Sequence, residues 1–343
     1  MIFVGDVAIA PGDEFIFNNL PAAFSEKKIC INLEGSISPD DVMPNYGVVN
    51  SRNFMNSFER FNLAPTFLGN NHILDVGNGI HNTLHYLSEN KLRGFGVEGE
   101  KLNLVQANCD NYLLLGYGWS VIGCKDSKKG KLGVSQLERA KVLNDVNIAL
   151  RNNPDKKVVV VFHWNYEFEM YPQPGHRKLA HELLDIGCEA VIGHHPHIVG
   201  PVEIYKEKVI AYSLGNWAFS YAKFFDGKLK FPPSSYQQVA LELCNNSAVI
   251  HWFEFIPPLS VNYIRSEPVN SGSNPIIAEF TGMDDDEYLK WFKVNRKKSF
   301  LLPIYLTAEN NLENKIKNLW VHFRQVLIDV AVKMKIKSLR RNG

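Results

Sequence analysis

The sequence predicts an α/β protein. Short apolar runs rich in β-branched residues alternate with amphipathic helical stretches from the first residues to about residue 257. Polar residues that carry chemistry follow these runs directly, at the point where the strands of an open α/β sheet form a ligand crevice. Beyond residue 257 the pattern changes to prolines and glycines, followed by helical stretches. We therefore expect a core domain over 1–257 and a loop-rich, helical C-terminal appendage over 258–343.

The composition is that of an ordinary globular protein, with 45% apolar and 21% charged residues among 343. Lysine and arginine number 37 and aspartate and glutamate 36, and the net charge of +1 disfavours a nucleic-acid partner. We expect neither a signal peptide nor a membrane anchor, because no apolar run reaches the roughly 20 residues of a span. The five cysteines form no CxxC pair and predict free thiols in the cytoplasm.

Apolar runs predict the first three strands, at residues 2–5, 29–33 and 64–68. The polar residues that follow them are, in order, Asp6, Glu34 and the sequence Asn70-Asn71-His72. Between the second and third strands, three phenylalanines at helical spacing predict a helix over 53–62.

The alternation continues through the middle of the chain. Ile80, Leu84 and Leu87 lie at helical spacing and predict a helix over 77–90. Short strands are then expected at residues 94–97, 104–107, 112–115 and 120–123. Ser135 and Glu138 have the spacing of a capping box, which predicts a helix from there to about residue 152.

The run Val158–Phe162 is the strongest strand pattern, and its continuous apolar character is typical of a strand buried on both faces. It ends at His163. A predicted helix over 177–186 leads to a strand over 189–192, which ends at His194-His195-Pro196-His197. A strand over 209–214 ends at Gly215-Asn216, and the runs 239–243 and 249–255 predict a β-pair around Asn245-Asn246.

Residues of metal-ligand or acid–base type follow six of these strands, and they are Asp6, Glu34, Asn71, His72, His163, His195, His197 and Asn216. Mixed oxygen and nitrogen donors suit Mn²⁺, Fe or Zn²⁺, and a carboxylate such as Glu34 can bridge two ions. A single histidine after a strand is more often a satisfied polar residue than a ligand. Three imidazoles within four residues, however, repel one another when protonated, so His194, His195 and His197 favour a shared cation.

The sequence resembles the bacterial capsule-biosynthesis CapA (PGA_cap) family, a branch of the calcineurin-like metallophosphoesterase superfamily. The resemblance covers roughly residues 1–220. The blocks that carry it are Gly5-Asp6, Asn32-Leu33-Glu34, Asn70-Asn71-His72 with Asp75 and Gly77, His163-Trp164 with Glu167, Gly193-His194-His195-Pro196-His197, and Tyr212-Ser213-Leu214-Gly215-Asn216. It implies a four-layer α/β/β/α sandwich of metallophosphoesterase type with two divalent metal ions, of Mn, Fe or Zn.

The resemblance also implies a role for each site residue. One metal would be held by Asp6, Glu34 and His197, and the second by Glu34, Asn71, His163 and His195. His72 would be the general acid or the transition-state stabiliser, and Asp75 would orient it. The candidate substrate contacts are His194, Trp164, Glu167 and Asn216.

Two departures from the wider superfamily leave the activity open. Ala8 stands where an Asp-x-His block would place a metal-ligating histidine, and Glu34 stands where an aspartate is usual. The leading hypothesis is a metal-dependent hydrolase that acts on a phosphoester or surface polymer in capsule, polyglutamate or polysaccharide biosynthesis. The alternative is a metal-binding scaffold of a polymer synthesis or export complex without turnover. A nucleic-acid phosphodiesterase is disfavoured by the net charge.

The end of the chain predicts a helix over 284–298 and a longer basic helix over 312–341. Between Lys315 and Arg341, eight lysines and arginines stand against one aspartate, with apolar residues at helical spacing. Such a helix either lies on an anionic membrane surface or packs its apolar face on its own domain. The first interpretation would bring the protein to membrane-associated polymer synthesis machinery, at the inner membrane face.

Overall fold

The computed structural model describes residues 1–100, 102–128, 131–244, 247–270, 276–297 and 302–333. The strands are β1 (Ile2–Ala8), β2 (Ile16–Asn18), β3 (Lys28–Leu33), β4 (Ser36–Ile37), β5 (Val49–Asn50), β6 (Asn62–Leu63), β7 (Thr66–Phe67), β8 (Gly94–Phe95), β9 (Val97–Gly99), β10 (Leu102–Leu104), β11 (Gln106–Cys109), β12 (Tyr112–Gly118), β13 (Gly133–Val134), β14 (Lys157–His163), β15 (Ala190–His194), β16 (Val202–Tyr205), β17 (Lys208–Ala211), β18 (Asn216–Phe219), β19 (Gln237–Cys244), β20 (Ser247–Ile256) and β21 (Ser260–Pro268). The helices are α1 (Ala23–Glu26), α2 (Gly79–Glu89), α3 (Arg139–Asn152), α4 (Pro174–Asp185), α5 (Phe224–Gly227), α6 (Asp285–Asn295) and α7 (Leu312–Lys333), with 3₁₀ helices at Phe54–Phe58, Ser120–Ile122 and Pro233–Ser235.

Two large sheets confirm the predicted α/β class. The ten-stranded sheet has the order β2-β21-β20-β19-β1-β3-β7-β8, with β18 paired to β1 and β6 paired to β3. The six-stranded sheet has the order β11-β12-β14-β15-β17-β16, and its four central strands are parallel. In both sheets, parallel neighbours align the carboxyl ends of strands that are distant in sequence.

The alternation of side chains along β14 shows why this strand lies at the centre. Val158, Val160 and Phe162 pack in a core beneath α3, α4 and α6, whereas Val159 and Val161 pack against side chains of the ten-stranded sheet. Every one of these five side chains is fully buried, as the continuous apolar run predicts. Burial of such a side chain contributes about 1.5–3 kcal/mol.

The outer face of the ten-stranded sheet is covered in the same way. Phe24 of α1, Phe54 and Phe58 of the first 3₁₀ helix, and Leu87 of α2 share a core with apolar residues of β1 and β3. The helix predicted over 53–62 is therefore present and buries the expected face. It is shorter than predicted, however, and is a five-residue 3₁₀ helix.

Two predicted elements differ from the structure between residues 119 and 139. The segment 120–123 is a 3₁₀ turn rather than a strand, and it ends at Gly123, whose φ is +100°. The capping box is also wrong, because Ser135 is buried and its N–H donates to the carbonyl of Gly96. The helix begins only at Arg139, and Glu138 makes no side-chain cap.

The segment after residue 257 contains a strand that the sequence does not reveal. β21 pairs antiparallel with β20 and parallel with β2, so it extends the ten-stranded sheet. Phe280, Tyr288 and Tyr305 lie in the same core as α3 and α4. The division into 1–257 and 258–343 stays a prediction, and extensive packing crosses it.

The predicted helix over 284–298 is confirmed as α6, with Asp284 and Glu287 in a capping box. Of the predicted helix over 312–341, residues up to Lys333 are helical and the remainder lies outside the described residues. The turn predicted at Asn245-Asn246 also lies outside them, although β19 and β20 form the expected antiparallel pair.

Within the described ranges, no helix combines the length and the hydropathy that a membrane span needs.

Candidate metal centre at the strand ends

The aligned strands bring the predicted polar residues of both sheets to one place. Asp6 lies in β1 at a register shift, beside Asn32 of β3 and Asn216 of β18. His163 ends β14 and is paired with His194 at the end of β15. Gly5 allows this approach, because a Cβ there would lie 2.2 Å from the carbonyl oxygen of Gly215.

The Asp6 carboxylate joins the two sheets. It accepts a hydrogen bond from Asn32 Nδ2 (2.8 Å), one from His194 Nδ1 (2.9 Å) and one from the backbone N–H of His195 (3.2 Å). Burial alone would raise the pKa of Asp6, but His194, His197 and Asn32 together outweigh burial and lower that pKa. Asp6 is therefore ionised and fixed in orientation.

Asp6, Glu34 and His197 form the centre of the cluster. Each offers one donor atom, and the three atoms lie within 4.8 Å of one another in the interior. His197 Nδ1 is 3.4 Å from Asp6 Oδ2, and His197 Nε2 is 3.6 Å from Glu34 Oε1. These are the three residues expected to hold the first metal.

Asn216 fixes the tautomer of His197. Its side-chain oxygen lies 2.9 Å from His197 Nδ1 and can only accept, so Nδ1 donates and Nε2 is the nitrogen that faces Glu34. A neutral imidazole whose other nitrogen is held in this way is the usual form of a metal-ligating histidine. Asn216 thus contacts a predicted metal ligand, and its role as a substrate contact stays a prediction.

The residues expected at the second metal also converge. His163 Nε2 lies 2.7 Å from Asn71 Oδ1, and the rings of His163 and His195 are 4.9 Å apart. Burial, then the neighbouring imidazole charges, lower the pKa of His163 well below its usual value. Burial, then the charge of His197, lower the pKa of His195 to about 3. Both imidazoles are therefore neutral near pH 7, in the form that binds metal.

The residues present fit a divalent cation. Two carboxylates, Asp6 and Glu34, are fully buried within a few ångströms of each other, and buried charge of one sign requires a counter-charge. Among the described residues, the Nδ1 atom of His195 has no hydrogen-bond partner although it is buried. The donor set combines carboxylate oxygen, amide oxygen and imidazole nitrogen, which suits the ions expected from the sequence.

His72 and Asp75 lie beside this cluster with the expected relationship. His72 Nδ1 is 2.7 Å from Asp75 Oδ2, and His72 Nε2 is 3.7 Å from Glu34 Oε1. Since a carboxylate only accepts, Nδ1 donates to Asp75 and Nε2 faces the cluster. His72 is largely buried, with Phe225 packed edge-on at 5.8 Å.

Two of the predicted substrate contacts are turned inward. Trp164 is fully buried, stacked between Phe162 and His176, and its indole N–H donates to the carbonyl of Tyr212. His194 is buried and donates to Asp6. Neither offers a surface to a substrate. Glu167 is partly exposed, and its charge raises the pKa of His195 against the dominant effect of burial.

The sequence reasoning missed two asparagines that hold the site together. Asn32 lies between Asp6 and His163, 3.3 Å from His163 Nδ1. Asn70 accepts from the backbone N–H groups of Gly35 and His72 and donates to the carbonyl of Leu33. A signal for Asn32 was available, because it is two residues before Glu34 and alternate strand residues share a face.

Comparison with known proteins supplies the remaining evidence. The family described as "Bacterial capsule synthesis protein PGA_cap" matches residues 2–221. A protein named "Capsule biosynthesis protein CapA" from Bacillus anthracis is 28% identical over 262 residues, which cover 73% of this chain and 60% of the relative. A "PGA biosynthesis protein CapA" from Bacillus subtilis is 29% identical over 157 residues, which cover 44% of this chain and 41% of the relative. The match thus spans less than two thirds of either relative.

Proposed function

Since the chain belongs to the bacterial capsule synthesis protein PGA_cap family, we propose that it is a metal-dependent hydrolase of phosphoesterase type. Its role would lie in the synthesis of a capsule, polyglutamate or another surface polymer, as the names of its relatives suggest. The observation that carries this proposal is the buried cluster of Asp6, Glu34 and His197 beside the oriented pair of His72 and Asp75.

In this proposal two divalent ions, of Mn, Fe or Zn, are held by the residues of the cluster. Asp6, Glu34 and His197 would hold one, and Glu34, Asn71, His163 and His195 the other. Bound ions would supply Lewis-acid polarisation of the substrate oxygens and an acidified water. Asn216 holds the imidazole of His197 and His194 holds the carboxylate of Asp6, so both proposed ligands are fixed in orientation.

His72 has the position of a general acid. Its Nδ1–H is committed to Asp75, so proton transfer takes place at Nε2, the atom that faces Glu34. Protonated Nε2 would donate to the leaving oxygen, a contribution of about 10²–10⁴-fold to the rate. Phe225 at the edge of the imidazole shields it from part of the solvent.

We further propose the four-layer α/β/β/α arrangement for this fold. Its support is a core shared by the two sheets and separate apolar clusters that join helices to the outer face of each sheet.

The five cysteines are free thiols, which supports placement in a reducing compartment such as the cytoplasm.

One observation favours the alternative, a metal-binding scaffold without turnover. Ala8 lies two residues after Asp6 and offers no ligand atom, so the first metal would have few protein ligands. The His72–Asp75 pair argues against this alternative, because a scaffold does not need an oriented proton donor.

The test is elemental analysis of the purified chain together with a phosphodiester assay using bis-p-nitrophenyl phosphate. The variants are Glu34→Gln and His195→Asn. The matched control is His85→Asn on α2, an exposed histidine that lies 3.3 Å from Glu89. We expect about two metals per chain, lost together with turnover in both variants and retained in the control.

If the chain binds metal but shows no turnover with Mn²⁺, Fe²⁺ or Zn²⁺, the hydrolase hypothesis is rejected in favour of the scaffold. Failure of the wild-type chain to bind any divalent ion would reject both functions.

A further inference from the structure

The last described helix is turned so that its polar face lies against the protein. Asn314 is buried and donates to the carbonyls of Thr307 and Glu309. Lys317 donates to the carbonyl of Ile304 and lies over the ring of Tyr305, and the hydroxyl of that tyrosine donates to Asn318. These contacts fix the rotation of α7 about its axis.

The apolar face of α7 consequently points outward. Its side chains lie at helical spacing and are between 44% and 75% exposed; they are Leu312, Ile316, Leu319, Trp320, Phe323, Val326 and Leu327. The expectation that α7 packs its apolar face on its own domain is therefore wrong. A continuous exposed apolar stripe of this size marks an interaction surface.

Basic residues flank this stripe on both sides. At 100° per residue, Lys315 lies along one edge and Arg324 along the other, where Lys317 is already paired with Glu313 and with the carbonyl of Ile304. The sequence that follows adds Lys335, Lys337, Arg340 and Arg341, and contains no acidic residue after Asp329. From residue 312 to 343, eight lysines and arginines stand against two acidic residues, Glu313 and Asp329, so a second copy of this segment would bring net positive charge to a positive face, which disfavours self-association.

We propose that α7 docks in the plane of an anionic lipid bilayer. The apolar stripe enters the boundary between headgroups and acyl chains, and the flanking cations contact the lipid phosphates. This partner satisfies the two features of the surface at once, because it offers an apolar layer bordered by negative charge. The helix lies on the bilayer and does not span it.

The docked helix would hold the metal centre near the membrane. α7 packs against the 3₁₀ helix Ser120–Ile122. The next residue, Gly123, adjoins Asn71, since a Cβ built on it would lie 3.7 Å from the Asn71 Cβ. α7 and Asn71 thus both lie against the short segment 120–123.

Vesicle flotation of the full chain tests the proposal. Vesicles of phosphatidylcholine are compared with vesicles that also contain phosphatidylglycerol, and oligomeric state is measured in parallel by light scattering. The variants are Leu319→Glu and Lys315→Gln. Val294→Glu on α6 is the matched control, since Val294 is 71% exposed and Leu319 is 70% exposed. Circular dichroism and the melting temperature establish that each variant is folded.

We expect binding to the anionic vesicles, at least tenfold weaker binding to phosphatidylcholine, and release by high salt. Leu319→Glu should weaken binding more than tenfold, Lys315→Gln about fivefold, and Val294→Glu not at all. Absence of binding by the folded wild-type chain would overturn the proposal, as would binding that the α7 variants leave unchanged. If the wild-type chain does not bind vesicles but forms a dimer that Leu319→Glu dissociates, the proposal is overturned and the apolar face of α7 is assigned to contact with a second copy of the chain.

Discussion

The Nδ1 atom of His72 lies 2.7 Å from Oδ2 of Asp75, and the same carboxylate oxygen accepts a hydrogen bond from the backbone N–H of Val48 at 3.0 Å. The backbone of Val48 thereby fixes the Asp75 carboxylate, and the carboxylate in turn fixes the orientation of the His72 ring. The side chain of His72 approaches the candidate metal cluster through Nε2, 3.7 Å from Glu34. Proton transfer and metal binding can therefore be separated by mutation.

Replacement of His72 by asparagine should lower kcat by about 10²–10⁴-fold while the metal content stays unchanged. Asp75→Asn should have a smaller effect of the same kind, because the imidazole remains but loses its orientation. Steady-state kinetics and elemental analysis on the same samples measure both quantities. Turnover by His72→Asn at the wild-type rate would show that His72 is not the general acid.

Asn216→Ala should weaken metal binding about 10–100-fold, because His197 loses the acceptor that fixes its tautomer. Calorimetric titration of the metal-free chain with Mn²⁺ or Zn²⁺ measures the change. Asn108→Ala, at an exposed position on β11, is the control and should bind like the wild type. Equal affinity of the two variants would show that Asn216 does not position a ligand.

Metal binding should stabilise the fold, because the cluster buries two carboxylates that are close to each other. At a free metal concentration of 100 times Kd, the free energy of unfolding should rise by about 2.7 kcal/mol. Urea titrations with metal and with EDTA provide the comparison, and Glu34→Gln should abolish the difference. A midpoint that metal does not move in the wild-type chain would contradict this expectation.

His176 should make stability depend on pH. Burial between Trp164 and Trp119 lowers the pKa of the folded imidazole from 6.5 to about 3. Between these values the unfolded chain binds one more proton than the folded chain. The contribution of His176 is therefore complete above pH 6.5 and decreases as the pH falls, by about 1.4 kcal/mol per pH unit.

His176→Phe should accordingly reduce the slope of stability against pH in that range by about one proton. Urea titrations of the metal-free chain at several pH values measure the slope. His163 and His195 contribute to the slope in both proteins and cancel in the comparison. His85→Phe serves as the control, and a slope that His176→Phe leaves unaltered would refute the assignment.

The ion pair of Arg177 and Glu203 should be costly to break. Both side chains are about 1% exposed, and Arg177 also donates to the carbonyl of Met283. Arg177→Met leaves a buried carboxylate with fewer partners and should lower the free energy of unfolding by about 3–5 kcal/mol. Adding Glu203→Leu should recover part of this loss. A double variant less stable than the single one would show that Glu203 is satisfied by Tyr212 and His181 alone.

The sequence predicts the parts of the fold that rest on strong periodicity. The valines of β14 and the polar residues after the parallel strands have unambiguous patterns, and the convergence of Asp6, Glu34 and His197 follows from them. β21 was missed because it is only partly buried, and its exposed positions carry Ile264, Arg265 and Ser266 instead of a clean alternation.

Directions of side chains were harder to predict than positions. Trp164 follows His163, and successive residues of an extended segment point to opposite sides. The imidazole therefore faces the metal cluster, and the indole enters the core beneath α4. The capping box at Ser135 failed for a related reason, because tertiary pairing with Gly96 competes for the backbone that would begin a helix.

The pairing of β1 with β18 and β19 has a consequence for biosynthesis. Asp6 leaves the ribosome some 210 residues before its neighbour Asn216. β3 covers one edge of β1 early, but the other edge is covered only after β18 and β19 are made, and β2 is paired later still, by β21. Contacts of such long sequence separation make folding slow and expose strand edges meanwhile. The Asp6 carboxylate is thus synthesised long before the side chains that surround it, so any metal that the cluster holds would be retained only after the strands that close the site are made.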